Sequence, residues 1–282
     1  MYQEITYKVA DPVATITLNR PKYANAWTTT MSREVRHALA QAERDPLVVG
    51  IIITGAGRAF CSGADISSIQ TLTTGKSTSD ISEETPQKVS LQLSEKPGDP
   101  LFPEGFREGL ASMTSIRKPI IAAINGPCVG MAMSISLFCD FRFLSEDGYI
   151  KSAFSERGLV AEVSASWMLT RLVGLDRCLD ILYASNKISA PEALQMGLIT
   201  KVFPADTLIT ESENYIKSLA QRCAPKSIAL MKRQVFADLH RSMAEGNKET
   251  NELMAMSHTS ADLKEGMKAF MKKRPPNFER IS

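Results

Sequence analysis

The 282-residue chain is 44% hydrophobic and 23% charged, the balance of an ordinary globular protein and not of a disordered one. Its formal net charge of +2 gives no reason to expect nucleic acid or an acidic membrane as partner, and no apolar run reaches the length of a membrane span. Met1 to Tyr7 lack the basic-then-apolar layout of a secretory signal. The five cysteines (61, 128, 139, 178 and 223) form no Cys-x-x-Cys pair, so reduced thiols in a cytoplasmic protein are expected.

Residues 4–9 and 13–18 alternate in strand fashion about Ala10-Asp11-Pro12, which predicts a hairpin. Asn19 to Ala26 reads as a loop. Thr28 to Thr30 can cap a helix in which Met31, Val35, Ala38, Leu39 and Ala42 recur at helical spacing. Asp45-Pro46 ends it, and Val48 to Ile53 reads as a strand. Gly50 to Ile66 therefore runs strand, glycine loop, helix start. It is not a phosphate loop, because no Gly-Lys-Ser/Thr follows.

Residues 71–104 change texture to Ser, Thr, Lys, Glu, Pro and Gly. They read as a surface segment with at most a short helix near 85–94, serving as a lid or acyl-pocket wall or as a plain insertion. Phe106 to Arg117 is predicted as a helix with Phe106, Leu110, Met113 and Ile116 on one face. Lys118 to Met133 then repeats the earlier layout: a buried strand, the turn Asn125-Gly126-Pro127, and a buried helix entered at Gly130 or Met131. The first N–H groups of such a helix have no partner within it and face the positive end of its dipole. Two turns of this kind, each offering an N–H, can hold one developing negative oxygen. Phe141 to Leu144 is a further strand. From about residue 164 the pattern is helical, with Lys201 to Phe203 as its one strand and helices over 208–222, 226–239, 243–257 and 260–273. Pro191, Pro204 and Pro225 each fall near a segment start, where proline is tolerated.

Four blocks in order carry a family resemblance: Asn19-Arg20-Pro21-Lys22-Tyr23-Ala24-Asn25-Ala26, Gly57 to Ile66, Asn125 to Met131, and Phe270-Met271-Lys272-Lys273-Arg274. Together they resemble the enoyl-CoA hydratase/isomerase (crotonase) superfamily from about residue 5 to the end. The resemblance implies an α/β fold, a crotonase-like superhelix of repeated β-β-α units over 1–203. It also implies a C-terminal helical region over 204–282 that packs subunits into a trimer or a dimer of trimers. The expected substrate is an acyl-CoA thioester, with coenzyme A part of the substrate, no separate cofactor and no metal.

By match, the backbone N–H groups of Ala64 and Met131 are the oxyanion donors. Glycine is frequent at the second place in the family, and methionine there narrows the pocket without removing the donor. Asp65 reads as a helix cap or structural anchor, since Asp is a favoured cap. Lys22, Tyr23 and Ala24 resemble the loop along the coenzyme A path, and Ala64, Asp65 and Ile66 lie beside the thioester. Phe270 and Lys273 match a pair that in relatives reaches a neighbouring subunit's nucleotide. Lys273 reads equally well as part of a solvated basic tail. Cys61 reads as a small packing residue.

The resemblance implies that a two-carboxylate hydratase would carry one glutamate at the place of Ser134 and another near Phe154, and neither residue is acidic here. Glu162, in the apolar run Gly158 to Val163, stands where several relatives carry their acid, including a class of Δ3,Δ2-enoyl-CoA isomerases. Burial would raise its pKa and make it a usable base near neutral pH; a helix-start glutamate favoured by the dipole is the alternative. Glu156 reads as a surface charge. A single carboxylate suits moving a double bond better than adding water, without excluding hydration. Thioester hydrolysis, carbon–carbon lysis and a non-catalytic binding scaffold are the alternatives on this fold. His37, His240 and His258 lie outside every motif and no Gly-x-Ser-x-Gly occurs, which argues against a Ser–His hydrolase.

Overall fold

The strand run Gly-Ile-Ile-Ile-Thr-Gly carries three successive isoleucines, as suits a parallel strand covered on both faces, and it occupies the middle of a six-stranded sheet. The computed structural model describes residues 1–65 and 97–282. In it β1 (Ile5–Ala10) and β2 (Val13–Leu18) form the expected hairpin, antiparallel from Ile5↔Leu18 to Ala10↔Val13. From β2 the sheet continues in parallel through β3 (Gly50–Gly55) and β4 (Ile120–Ile124) to β6 (Phe141–Ser145) and β9 (Lys201–Phe203). A second sheet joins β5 (Cys128–Val129), β7 (Tyr149–Lys151) and β8 (Ile188–Ser189).

Strand alternation sorts the core into two layers. Ile51, Ile53, Ile120, Ala122 and Ile124 face the layer containing Met31, Val35, Ala38, Leu39 and Ala42 of α1 (Thr29–Arg44). Ile52, Ile121, Ala123 and Phe143 face Leu208 and Ile216 of α6 (Leu208–Arg222). Thr28 caps α1 with its side chain, accepting from the Met31 N–H at 3.0 Å. Between the strands lie α2 (Met131–Leu137), α3 (Ala165–Val173), α4 (Leu175–Ala184) and α5 (Ala190–Gln195). The C-terminal helices are α7 (Pro225–Asp238), α8 (Met243–His258) and α9 (Ala261–Met271), each within two residues of expectation.

The helix expected over Phe106 to Arg117 does not form. Two 3-10 segments, Glu104–Phe106 and Gly109–Ser115, stand in its place. Gly109 has φ +54, outside the right-handed helical range. Ser112, Thr114 and Ser115 each donate to the carbonyl three residues back, at 2.7 Å, a local bond that competes with the α-helical ladder. Phe106, Met113 and Ile116 are each buried nonetheless, Met113 and Ile116 in the main core and Phe106 against Phe102, Trp167 and Phe236, with Leu110 half-buried. The short strands β5, β7 and β8 of the second sheet are not among the predicted elements, because two or three residues carry little readable periodicity. Of the expected lid over 71–104, the part before residue 97, including the short helix near 85–94, lies outside the described residues. Among the described residues no helix is long and apolar enough to cross a membrane.

Candidate active site

The two glycine turns at the ends of β3 and β4 are bound to one another. Cys61 and Cys128 form an isolated parallel bridge, with the Cys61 N–H donating to Pro127 O and the Val129 N–H to Cys61 O, both at 3.1 Å. Two amides hold the first turn, the buried Asn25 and the half-buried Asn125. Asn25 donates to the carbonyls of Ala56 and Ala59 at 2.9 and 2.8 Å and accepts from the Arg20 N–H at 2.9 Å. Asn125 donates to Gly57 O and accepts from the Gly55 N–H, both at 3.0 Å. Glycine is required where the turns touch: a Cβ on Gly63, which has φ +100, would lie 2.9 Å from Val129 O and 3.7 Å from the Met131 nitrogen. Both cysteine thiols are buried, and burial pushes the Cys61 thiol up to about 11, so packing is its role here.

This arrangement brings Ala64 and Met131 to one cavity of about 410 Å³, which Tyr23, Asp65 and Glu162 also line. The N–H groups of Ala64 and Met131 have no hydrogen-bond acceptor among the described residues. Gly130 enters α2 at φ +58 and ψ −122 and is fixed from behind, its N–H donating to Lys151 O at 2.9 Å. The backbone of the second turn is thereby held by the small sheet.

Glu162 is half-buried. Its carboxyl makes no hydrogen bond or ion pair among the described residues; burial raises its pKa above the usual carboxylate range, and the guanidinium of Arg157 opposes that rise. The Glu162 backbone carbonyl accepts from the Ala165 N–H at 3.0 Å and from Ser134 Oγ at 3.2 Å. Asp65 behaves as the anchor expected: Arg20 bridges its carboxylate at 2.8 Å, donates to Ala26 O at 2.7 Å and pairs with Glu4 at 3.2 Å. The Arg20 guanidinium also lies 4.8 Å from the centre of the Tyr23 ring, so one side chain fixes both Asp65 and a wall of the cavity. Glu156 pairs with Lys151 at 2.8 Å on the surface.

Lys22 and Ala24 flank Tyr23 without lining the cavity, and the turn they form is tied to the first loop by Ser62 N–H donating to Ala24 O at 3.0 Å. Ile66 lies outside the described residues. Phe270, at the end of α9, and Lys273 beyond it are exposed and do not line the cavity. Three lining residues were not singled out by sequence: Arg157, Leu159 and Ala153. Arg157 sits in a Ser-Glu-Arg-Gly run that reads as solvated loop; it is exposed, yet the fold sets it at the edge of the cavity, its Nη1 donating to Ala153 O at 2.9 Å. Phe154 is buried and makes an apolar wall of the cavity.

The family model described as enoyl-CoA hydratase/isomerase matches residues 8–280. A mitochondrial enoyl-CoA hydratase of Pongo abelii is 32% identical over 268 residues, 95% of this chain and 83% of that protein. A peroxisomal Delta(3,5)-Delta(2,4)-dienoyl-CoA isomerase of Arabidopsis thaliana is 27% identical, over 94% of this chain and 91% of that one. The crystal structure of an enoyl-CoA hydratase from Bacillus anthracis matches with a TM-score of 0.83 at 25% identity, covering 98% of this chain and 99% of that one.

Proposed function

Because the chain belongs to the enoyl-CoA hydratase/isomerase family, we propose that it moves a carbon–carbon double bond within an enoyl-CoA, with Glu162 as its single acid and base. The observation that carries this reading is the pairing state of the carboxylates on the cavity. Asp65 is bound to Arg20, and the Glu162 carboxyl is the one on the cavity with no hydrogen bond or ion pair among the described residues.

In the forward step Glu162 takes a proton from the α-carbon of a 3-enoyl thioester. The electron pair moves into the conjugated system and charge gathers on the thioester oxygen. The N–H groups of Ala64 and Met131 receive that oxygen, each donor worth about 3 kcal/mol of barrier. Glu162 then returns the proton to the γ-carbon, and the double bond rests between the α- and β-carbons. A carboxyl whose pKa is raised by burial is strong enough as a base and still able to give the proton back. Hydration of a 2-enoyl-CoA is the second reading, favoured by the 32% identical relative named a hydratase.

Coenzyme A belongs to the substrate in this scheme, with Lys22, Tyr23, Ala24, Asp65 and Ile66 along its path and no separate cofactor. The proposal includes a trimer or dimer of trimers in which Phe270 and Lys273 serve a neighbouring subunit. The exposed apolar side chains Met231, Val235, Phe270 and Met271 support it. A reducing, cytoplasmic setting accords with five free cysteines. The test is an absorbance assay on a trans-3-enoyl-CoA and a trans-2-enoyl-CoA, each with wild-type protein and Glu162→Gln. Turnover of the 3-enoyl substrate, lost in the variant, is expected. Turnover of the 2-enoyl substrate alone would establish hydration, and activity unchanged in the variant would remove Glu162 from the mechanism.

A further inference from the structure

The two serines of α2 differ in what their hydroxyls do. Ser136 donates within its own helix, to Met133 O at 2.7 Å, as a helical serine ordinarily does. Ser134 is fully buried and donates across the fold, to the carbonyl oxygen of Glu162 at 3.2 Å. With the Ala165 N–H at 3.0 Å on the same oxygen, both acceptor positions of that carbonyl are filled.

The backbone beyond Glu162 is strained. Val163 and Ser164 both have φ +52, in the left-handed region, where a β-branched residue is an outlier. Such a conformation persists where the surroundings over-determine it. The two hydrogen bonds on the Glu162 carbonyl are those surroundings. One comes from α3, on the far side of the strained pair. The other comes from α2, three residues after Met131.

We propose that Ser134 is a positioning residue for Glu162: its hydroxyl holds the strained turn so that the Glu162 carboxyl stays aimed at the cavity in fixed relation to the Met131 N–H. The position that could have carried a second acid instead braces the one acid present. This inference rests on the reading of Glu162 as acid and base. A misplacement of about 1 Å in such a group costs on the order of a hundredfold in rate, so one hydrogen bond on the backbone of Glu162 is enough to matter.

The experiment compares wild type, Ser134→Ala, Glu162→Gln and the double variant on trans-3-hexenoyl-CoA, with thermal unfolding of each. Ser134→Ala removes one oxygen and leaves the packing. The expected result is kcat lower by about tenfold or more, KM within about twofold, and a retained cooperative transition. In the Glu162→Gln background the same change should lower the residual rate no further, because Ser134 acts only through Glu162. Ser134→Thr and Ser134→Val, matched in volume and differing in the hydroxyl, repeat the comparison, with the threonine variant expected to be faster. Wild-type kcat in Ser134→Ala, equal rates in the Thr and Val variants, or a further loss in the Glu162→Gln background would each overturn the proposal. A Glu162→Gln protein with undiminished rate, or a wild type inert on both enoyl substrates, would instead overturn the reading of Glu162 beneath it.

Discussion

Gly126 lies against Arg58 so closely that a Cβ on Gly126 would fall 2.1 Å from the Arg58 carbonyl oxygen. The contact joins the two turns that carry the unpaired N–H groups of Ala64 and Met131, and no side-chain movement can relieve it because the opposing atom is backbone. Gly126→Ala is therefore expected to push the turns apart and to destabilise the protein by about 1–3 kcal/mol, the usual cost of overpacking. Gly105→Ala is the control, since nothing lies within 4 Å of a Cβ there. Thermal unfolding of the pair checks this. Equal midpoints would mean that the turns can separate at no cost.

Asn25 is completely buried and spends its amide on three backbone groups of two loops. Asn25→Ala strands the carbonyls of Ala56 and Ala59 and the Arg20 N–H, at about 1–3 kcal/mol for each group left unsatisfied. It also places alanine at φ +55, which asparagine tolerates better. A loss of at least about 2 kcal/mol in urea unfolding is expected, together with a fall in kcat/KM as the first turn loosens.

The strands were legible because the sheet buries both faces of its central members, which leaves uninterrupted apolar runs such as Ile51 to Ile53 and Ile120 to Ile124. Ala64 and Met131 follow from the short glycine motifs and Glu162 from the apolar run in which it stands and the family resemblance, and the fold brings all three to one cavity. Arg157 was not, because an arginine between a glutamate and a glycine has the same pattern on a surface loop as on a cavity wall. The segment before β4 misled for a related reason. Phe106, Met113 and Ile116 have helical spacing, but Gly109 and three hydroxyls bonding to their own backbone shorten the turn to 3-10. Ser134 could be read as a missing glutamate, whereas its bond to the Glu162 carbonyl spans 28 residues and has no local signature.

Lys118 is 1% exposed and donates to the carbonyls of Ala42 and Asp45 at 3.0 and 2.7 Å, closing the end of α1. Burial pulls its pKa down to about 8 from 10.5. Between those values the unfolded chain binds more protons at this site than the folded one, so the site's contribution to stability grows as pH rises from about 8 towards 10.5. Urea unfolding of wild type and Lys118→Met at pH 7.5 and 9.5, pH values chosen on about either side of that onset, measures the effect. The difference in unfolding free energy, wild type minus variant, is expected to be more positive at the higher pH. A difference that shrinks would mean that the ammonium is stabilised where it lies.

Glu162 must be ionised to take a proton, and its pKa stands above the ordinary 4.5 because burial disfavours the charge. The rate constant kcat/KM is accordingly expected to rise with pH on an acid limb displaced upward from 4.5. Arg157 lines the same cavity, and its charge holds that pKa lower than burial alone would. Arg157→Gln should move the limb to higher pH, leaving the plateau rate on trans-3-hexenoyl-CoA much less affected than the rate on the slope. Stability carries the same proton with its own sign. Just above pH 4.5 the folded state binds more protons at Glu162 than the unfolded chain, so its contribution to stability falls as pH rises through the raised pKa. Glu162→Gln should abolish that fall. A limb that stays in place in Arg157→Gln would mean that solvent screens the guanidinium from the carboxyl, and would leave burial alone as the force that tunes the acid.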